Sequence, residues 1–169
     1  LVDGGMINAS ARYPTVEDAK FEMSPPDFSG VTAESFMERV RTRHQGAGMA
    51  PGSHEVVMAN FEIQADKTIK ARLSRANHLR IIEALWDHHP TEMYRRVQCP
   101  VLIMPARQHN DSSAHDRGQR RLMSVEEAEQ QLPNSRTIWL ENSVHDVPIQ
   151  RPELVADLIK SHIFEGFFG

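Results

Sequence analysis

The sequence predicts an α/β protein that carries a mostly helical insertion, and three observations predict it. Residues about 96 to 169 alternate strand, helix, strand, helix, the order that builds a parallel sheet with helices packed on it. Residues about 9 to 95 are polar, rich in Met and patterned mainly as helices. Residues 1 to 8 open with Leu1-Val2-Asp3-Gly4-Gly5, which reads as the end of a buried strand followed by a turn. The expected organisation is a core strand and turn at 1–8, a helical region at 9–95 and the remainder of the core at 96–169.

Within the helical region Thr32 suits an N-cap, and Phe36, Val40 and His44 recur four apart on one face of the helix it would open. Gln45-Gly46-Ala47-Gly48 stops that helix. Phe61, Ile63 and Ala65, then Ile69, Ala71 and Leu73, alternate on either side of Asp66-Lys67, which predicts a short hairpin. Ser74 opens a helix with an apolar stripe of Leu79, Ile82, Leu85 and Trp86, closed before Pro90 because the residue preceding proline disfavours helical backbone.

In the last zone Val97 to Ala106 holds the run Val101-Leu102-Ile103-Met104, an apolar stretch suited to a strand buried on both faces, with Pro100 at its entrance. Ser124 and Glu127 have the spacing of a capping box for a helix to about Leu132, and Thr137 to Leu140 read as a second strand. Pro152 falls at a first helical position with Glu153 in the first turn. Leu154 with Leu158, and Val155 with Ile159 and Ile163, are the expected buried face of that closing helix.

Composition bounds the function. With 169 residues, 40% of them hydrophobic and 25% charged, the chain is an ordinary globular one that needs no disulfide or metal to fold. Nineteen Lys and Arg against twenty-three Asp and Glu give a formal charge of −4, which argues against a nucleic-acid binder that works through a basic field. The longest apolar runs fall far short of the roughly 20 residues that span a bilayer, so no membrane partner is expected. The single Cys99 lies in an apolar stretch, reads as a small hydrophobe and favours a reducing, cytoplasmic setting.

Reactive groups belong on loops at the carboxyl ends of parallel strands. The loop from Glu141 to Pro152 holds His145, a side chain able to move a proton near neutral pH. The preceding loop on the same edge, from Pro105, offers the carboxylate of Asp111 as a partner. Asp146 and Glu141 are read as organising the His145 loop, and Arg151 as bracing it. His109, Asp111, His115 and Asp116 crowd eight residues, yet without the spacing of structural zinc or of a helical His-Glu-x-x-His site they read as a polar surface loop. His88-His89 suits the end of a helix. Phe36, Phe61 and the Met residues serve core packing or an apolar substrate pocket, and Phe164, Phe167 and Phe168 cover the last helix or meet a partner.

Cys99-Pro100-Val101-Leu102-Ile103-Met104-Pro105-Ala106, a following helix and strand, Val144-His145-Asp146-Val147-Pro148 and Arg151-Pro152-Glu153-Leu154-Val155 together resemble the C-terminal part of an α/β-hydrolase. The resemblance implies that Leu1 to Gly5 corresponds to the strand after the nucleophile-bearing helix, and that the helical region is the cap inserted there. It implies hydrolysis of a small ester, amide or related bond, a small-molecule substrate and no cofactor or metal. His145 would be the triad histidine. Its acid would be Asp111, which falls two residues late for the family's usual position, or Asp3, which some lipases of this fold place after the earlier strand. The competing readings are a solvated loop carboxylate for Asp111 and a turn cap before Gly4-Gly5 for Asp3.

Neither Gly-x-Ser-x-Gly nor its Asp or Cys variants occur in these residues. The chain is therefore read as a fragment whose nucleophile lies upstream, and by itself it is expected to be inactive on p-nitrophenyl acetate and, with sheet edges uncovered, marginally stable, swapped or aggregated. The alternative is a binding module on the same scaffold that has lost catalysis.

Overall fold

Thr15, Thr32 and Ser74 each hold extended backbone and start a helix by taking up an amide that the helix leaves unpaired. The structure, a computed structural model, describes residues 1–108 and 115–169, with the backbone alone for 115–117. The chain separates into two units, one of residues 9–88 and one of residues 1–8 with 89–169. Its class is mixed α/β, mainly helical with short parallel and antiparallel sheets. No described helix is long and apolar enough to cross a membrane.

In residues 9–88, α1 is Ala9–Arg12 and α2 is Val16–Met23. Thr15 and Asp18 form a capping box at α2, each side chain taking the other's amide. The third and fourth helices are α3, Ala33–Ala47, and α4, Ser53–Met58. Gly48 ends α3 at φ 60°, left-handed backbone for which glycine pays no Cβ penalty, and returns its N–H to the His44 carbonyl. The His44 ring also holds the start of α4, with Nδ1 2.8 Å from the buried Ser53 hydroxyl.

The expected hairpin is present as β1, Phe61–Ile63, paired antiparallel with β2, Ile69–Ala71, in the register Phe61 to Ala71. Its turn carries Lys67 at φ 66° and is tied by Asp66, whose carboxylate accepts from the Thr68 amide and hydroxyl and is held below its ordinary pKa by those bonds. The helix opened by Ser74 is α5, Arg75–Asp87. Its stripe supplies Ile82 to a small core with Ala9, Tyr13 and Ala19, against which Met23, Leu79 and Trp86 pack. Trp86 satisfies its indole N–H at the Tyr13 carbonyl, 3.0 Å away.

The other unit continues from α6, Pro90–Met93, and a 3-10 turn over Tyr94–Arg96. These residues belong with the sheet because Tyr94 is buried among Met6, Ile103, Val125 and Ala128. Strands β3, Val101–Ile103, and β4, Ala106–Arg107, pair in parallel with β5, Ser135–Thr137, and β6, Leu140–Glu141, respectively. The two pairs form one ladder, continued by the Ile138 amide on the Ile103 carbonyl and the Leu140 amide on the Pro105 carbonyl. It breaks between them because Pro105, next in register to donate to the Ile138 carbonyl, has no N–H. On the other side of β3, Val2 bridges Met104 in parallel, so Leu1 to Asp3 form the third track.

Helix α7, His115–Gln131, connects β4 to β5. It begins well before the expected capping box at Ser124, which lies inside it and donates its hydroxyl to the Arg120 carbonyl. The buried row Val125, Ala128 and Leu132 lies in line with Arg121, one turn before Val125, so the helix already runs through the position expected to cap it.

After α8, Val147–Gln150, the closing helix is α9, Pro152–Phe164, begun by the expected proline. Leu154, Val155 and Leu158 join the core around Leu102, Met104 and Leu140. Ile159 and Ile163, expected to be buried, are exposed. The inward row instead runs to His162, which bonds the Leu158 carbonyl and packs edge-on against Phe167 where the chain folds back. Cys99 is likewise exposed rather than packed in the apolar run that follows it.

Ile103 is fully buried at the centre of the sheet, with β-branched bulk that nothing nearby replaces. Ile103→Ala is expected to destabilise this unit by about 2–5 kcal/mol. Urea titration followed by circular dichroism checks it, and a loss below about 1 kcal/mol would contradict the packing described.

Candidate functional site

The three parallel tracks end on one edge, and two side chains from distant parts of the sequence meet there. Asp3 follows the Val2–Met104 bridge, and its amide donates to the Met104 carbonyl at 2.9 Å. The backbone then turns to φ 42°, sparsely populated for a residue with a Cβ. That turn ends the backbone ladder and puts the carboxylate where the next carbonyl would be: Oδ1 accepts the Ala106 amide at 2.8 Å. Arg121 of α7 stands behind it, with Nε 3.4 Å from the same oxygen and its Nη1 donating to the Ala106 carbonyl.

The other carboxylate oxygen, Oδ2, lies 2.8 Å from Nδ1 of His145. The Asp3 side chain is only 2% exposed whereas that of His145 is 69% exposed, so a buried carboxylate holds a ring that faces water. A carboxylate only accepts, so Nδ1 carries the proton and Nε2 is the nitrogen left for exchange.

His145 is delivered by the loop between β6 and α8, which is braced throughout. Asn142 turns at φ 54°, and the buried Ser143 donates its amide to the Arg107 carbonyl. The Gln150 side chain accepts the Val144 amide at 2.8 Å, and Asp146 receives the amides of Ile149 and Gln150 on its carbonyl. Arg151 clamps the loop from below, donating to the Glu141 carbonyl and the Ser143 hydroxyl. Glu141 points its carboxylate elsewhere, to Arg107, which stacks over Trp139.

Of the residues singled out in the sequence, His145 and Asp3 are thus brought together, and the Asp3 carboxylate reaches across the sheet rather than capping the Gly4-Gly5 turn. Asp111 lies outside the described residues, as do His109 and the side chains of His115 and Asp116. Among the described residues no group of three or more His, Cys, Asp or Glu is placed to hold a metal ion. Sequence reasoning missed Arg121, the Ala106 amide and Gln150. Arg121 alone left a signal, as a cation in line with Val125, Ala128 and Leu132 on the packing face of α7.

An imidazole fixed at Nδ1 by a buried carboxylate, with its ring toward solvent at the carboxyl edge of a parallel sheet, can take a proton at Nε2 and return it. No family model, curated protein or solved structure matches the chain.

Proposed function

We propose that the chain is the cap and C-terminal portion of an α/β-hydrolase that cleaves a small ester, amide or related bond, with His145 as general base and Asp3 as the residue that orients it. The observation that carries this reading is the 2.8 Å contact between His145 Nδ1 and the buried Asp3 carboxylate. Residues 9–88 would be the cap, and residues 1–8 with 89–169 the part of the core that holds the acid and the histidine.

In this reading His145 Nε2 deprotonates a nucleophile supplied by residues outside this sequence and then protonates the leaving group. Asp3 fixes the tautomer and stabilises the imidazolium that forms, while the Ala106 N–H and Arg121 hold the carboxylate in position. The chemistry needs no cofactor, and its partner is a small-molecule substrate.

The test is the complete reading frame that encodes this chain. It is expected to carry a Gly-x-Ser-x-Gly elbow, or its Asp or Cys equivalent, about one strand and one helix before Leu1. With a serine elbow, its product should hydrolyse p-nitrophenyl acetate. A frame without any such elbow, whose product turns over no ester, would overturn the proposal in favour of a binding module on the same scaffold.

A further inference from the structure

Residues 31–33 begin a third strand on the outer edge of β2 and then leave it. Thr32 bridges Thr68 antiparallel, the Ala33 amide donates to the Lys67 carbonyl, and the Ile69 amide donates to the Val31 carbonyl, each at 2.9 Å. Gly30 then turns at φ 70°, and the Val31 amide closes on the Phe28 carbonyl instead of the Ile69 carbonyl that further pairing would offer it. The Pro25–Ser29 segment stands away from β2, and the space between them is a cleft of about 1090 Å³. Backbone groups alternate along β2: the Arg72 amide donates to the Asn60 carbonyl on the β1 side, which sends the amide and carbonyl of Ala71 to the outer edge, where no described group takes them. An edge of this kind is a template for another strand.

The side chains specify which strand. Partners across the hairpin share a face, so Phe61 and Ala71 lie with Ile63 and Ile69 on one side, and Glu62 and Lys70 on the other, where Arg72 also reaches Glu62 at 3.4 Å. On the first side Phe28 meets Phe61 edge to face with ring centroids 5.0 Å apart, and the exposed Leu73 lines the cleft beyond Ala71. On the second, Glu62 is taken by Arg72, which leaves Lys70 exposed with no described ion pair. An added strand therefore meets apolar surface with every other side chain and excess positive charge with those between. A second copy of β2 fits badly, because antiparallel pairing about Ala71 sets the Lys70 of each copy against the Arg72 of the other.

We propose that the outer edge of β2 takes an extended peptide segment of another protein, paired antiparallel at Ala71, in which apolar and acidic residues alternate. Its apolar residues lie opposite Ala71 and Leu73, and its acidic residues opposite Lys70 and Arg72. The site stands on residues 9–88 alone and requires no role for His145.

The probe is Ac-Leu-Glu-Leu-Glu-NH₂, titrated into the chain and followed by amide chemical shifts, beside Ac-Leu-Lys-Leu-Lys-NH₂ and a copy of the first peptide N-methylated at its second Leu. The acidic peptide is expected to give saturable shifts centred on residues 25–31 and 69–73, with the Ala71 amide among the largest. N-methylation removes the donor to the Ala71 carbonyl and should weaken binding at least about 10-fold. The lysine peptide should bind several-fold more weakly than the acidic one, and Lys70→Glu, at an exposed position, should narrow that difference to about two-fold or less. No saturable shift, shifts centred outside those residues, undiminished binding of the N-methylated peptide, or a preference for the acidic peptide that is absent or unaltered by Lys70→Glu would overturn the proposal. Because the readout is binding, its failure is distinct from loss of hydrolysis in the complete protein.

Discussion

Under the proposed mechanism, His145→Ala in the hydrolase is expected to lower kcat for p-nitrophenyl acetate by about 10⁶-fold, because without the proposed base the nucleophile keeps its proton and the rest of the machinery has nothing to act with. KM should change far less. Stability should barely move, since the ring is 69% exposed and its removal lets water reach Asp3 Oδ2 while the Ala106 amide still holds Oδ1. Exposure also gives a positive control: added imidazole should enter the vacated place and restore part of the rate. Steady-state kinetics with and without imidazole, beside a thermal melt, checks all three expectations. A variant that retains the wild-type kcat would remove His145 from the chemistry and leave only the fold.

How much of this the sequence disclosed depended on whether the cause was local. Thr32, Ser74 and Pro152 start helices through bonds or dihedral limits that involve a few neighbouring residues, and each is found where its neighbours predict. The hairpin around Asp66-Lys67 is legible for the same reason. By contrast, α7 already runs through Ser124, so a well-spaced Ser124 and Glu127 mislead about where it begins. The direction of α9 is set by His162 and Phe167 folding together, which no helical repeat encodes, and so Ile159 and Ile163 turn outward.

The candidate site shows the same division. His145 is visible because a loop after a strand advertises it. Its partner is narrowed only to two carboxylates, Asp111 and Asp3, and that through the family resemblance, since the one that meets the ring lies 142 residues away. What brings Asp3 to the ring is the parallel pairing of Val2 with Met104, which carries the end of that track to the same edge as the loop after β6.

Asp3→Asn distinguishes an orienting carboxylate from one that is merely buried. The Ala106 amide can bond only to an acceptor, so an asparagine in this place is expected to keep its carbonyl oxygen toward Ala106 and present its NH₂ to His145. Nδ1 must then accept, the ring proton moves to Nε2, and the nitrogen that should take a proton from the nucleophile is already occupied. The expected result is a loss of roughly 10⁴-fold in kcat with the fold retained, as for a triad locked in the wrong tautomer. Nitrogen-15 chemical shifts of the His145 ring read this directly: neutral rings should carry the proton on Nδ1 in the parent protein and on Nε2 in the variant. Asp3→Ala differs, because it leaves the Ala106 amide without its acceptor and Arg121 Nε without its ion-pair partner, and should cost about 1–3 kcal/mol of stability as well. An Asp3→Asn protein with an unchanged tautomer and an unchanged kcat would show that Asp3 only terminates the strand, and the acid would have to be sought elsewhere.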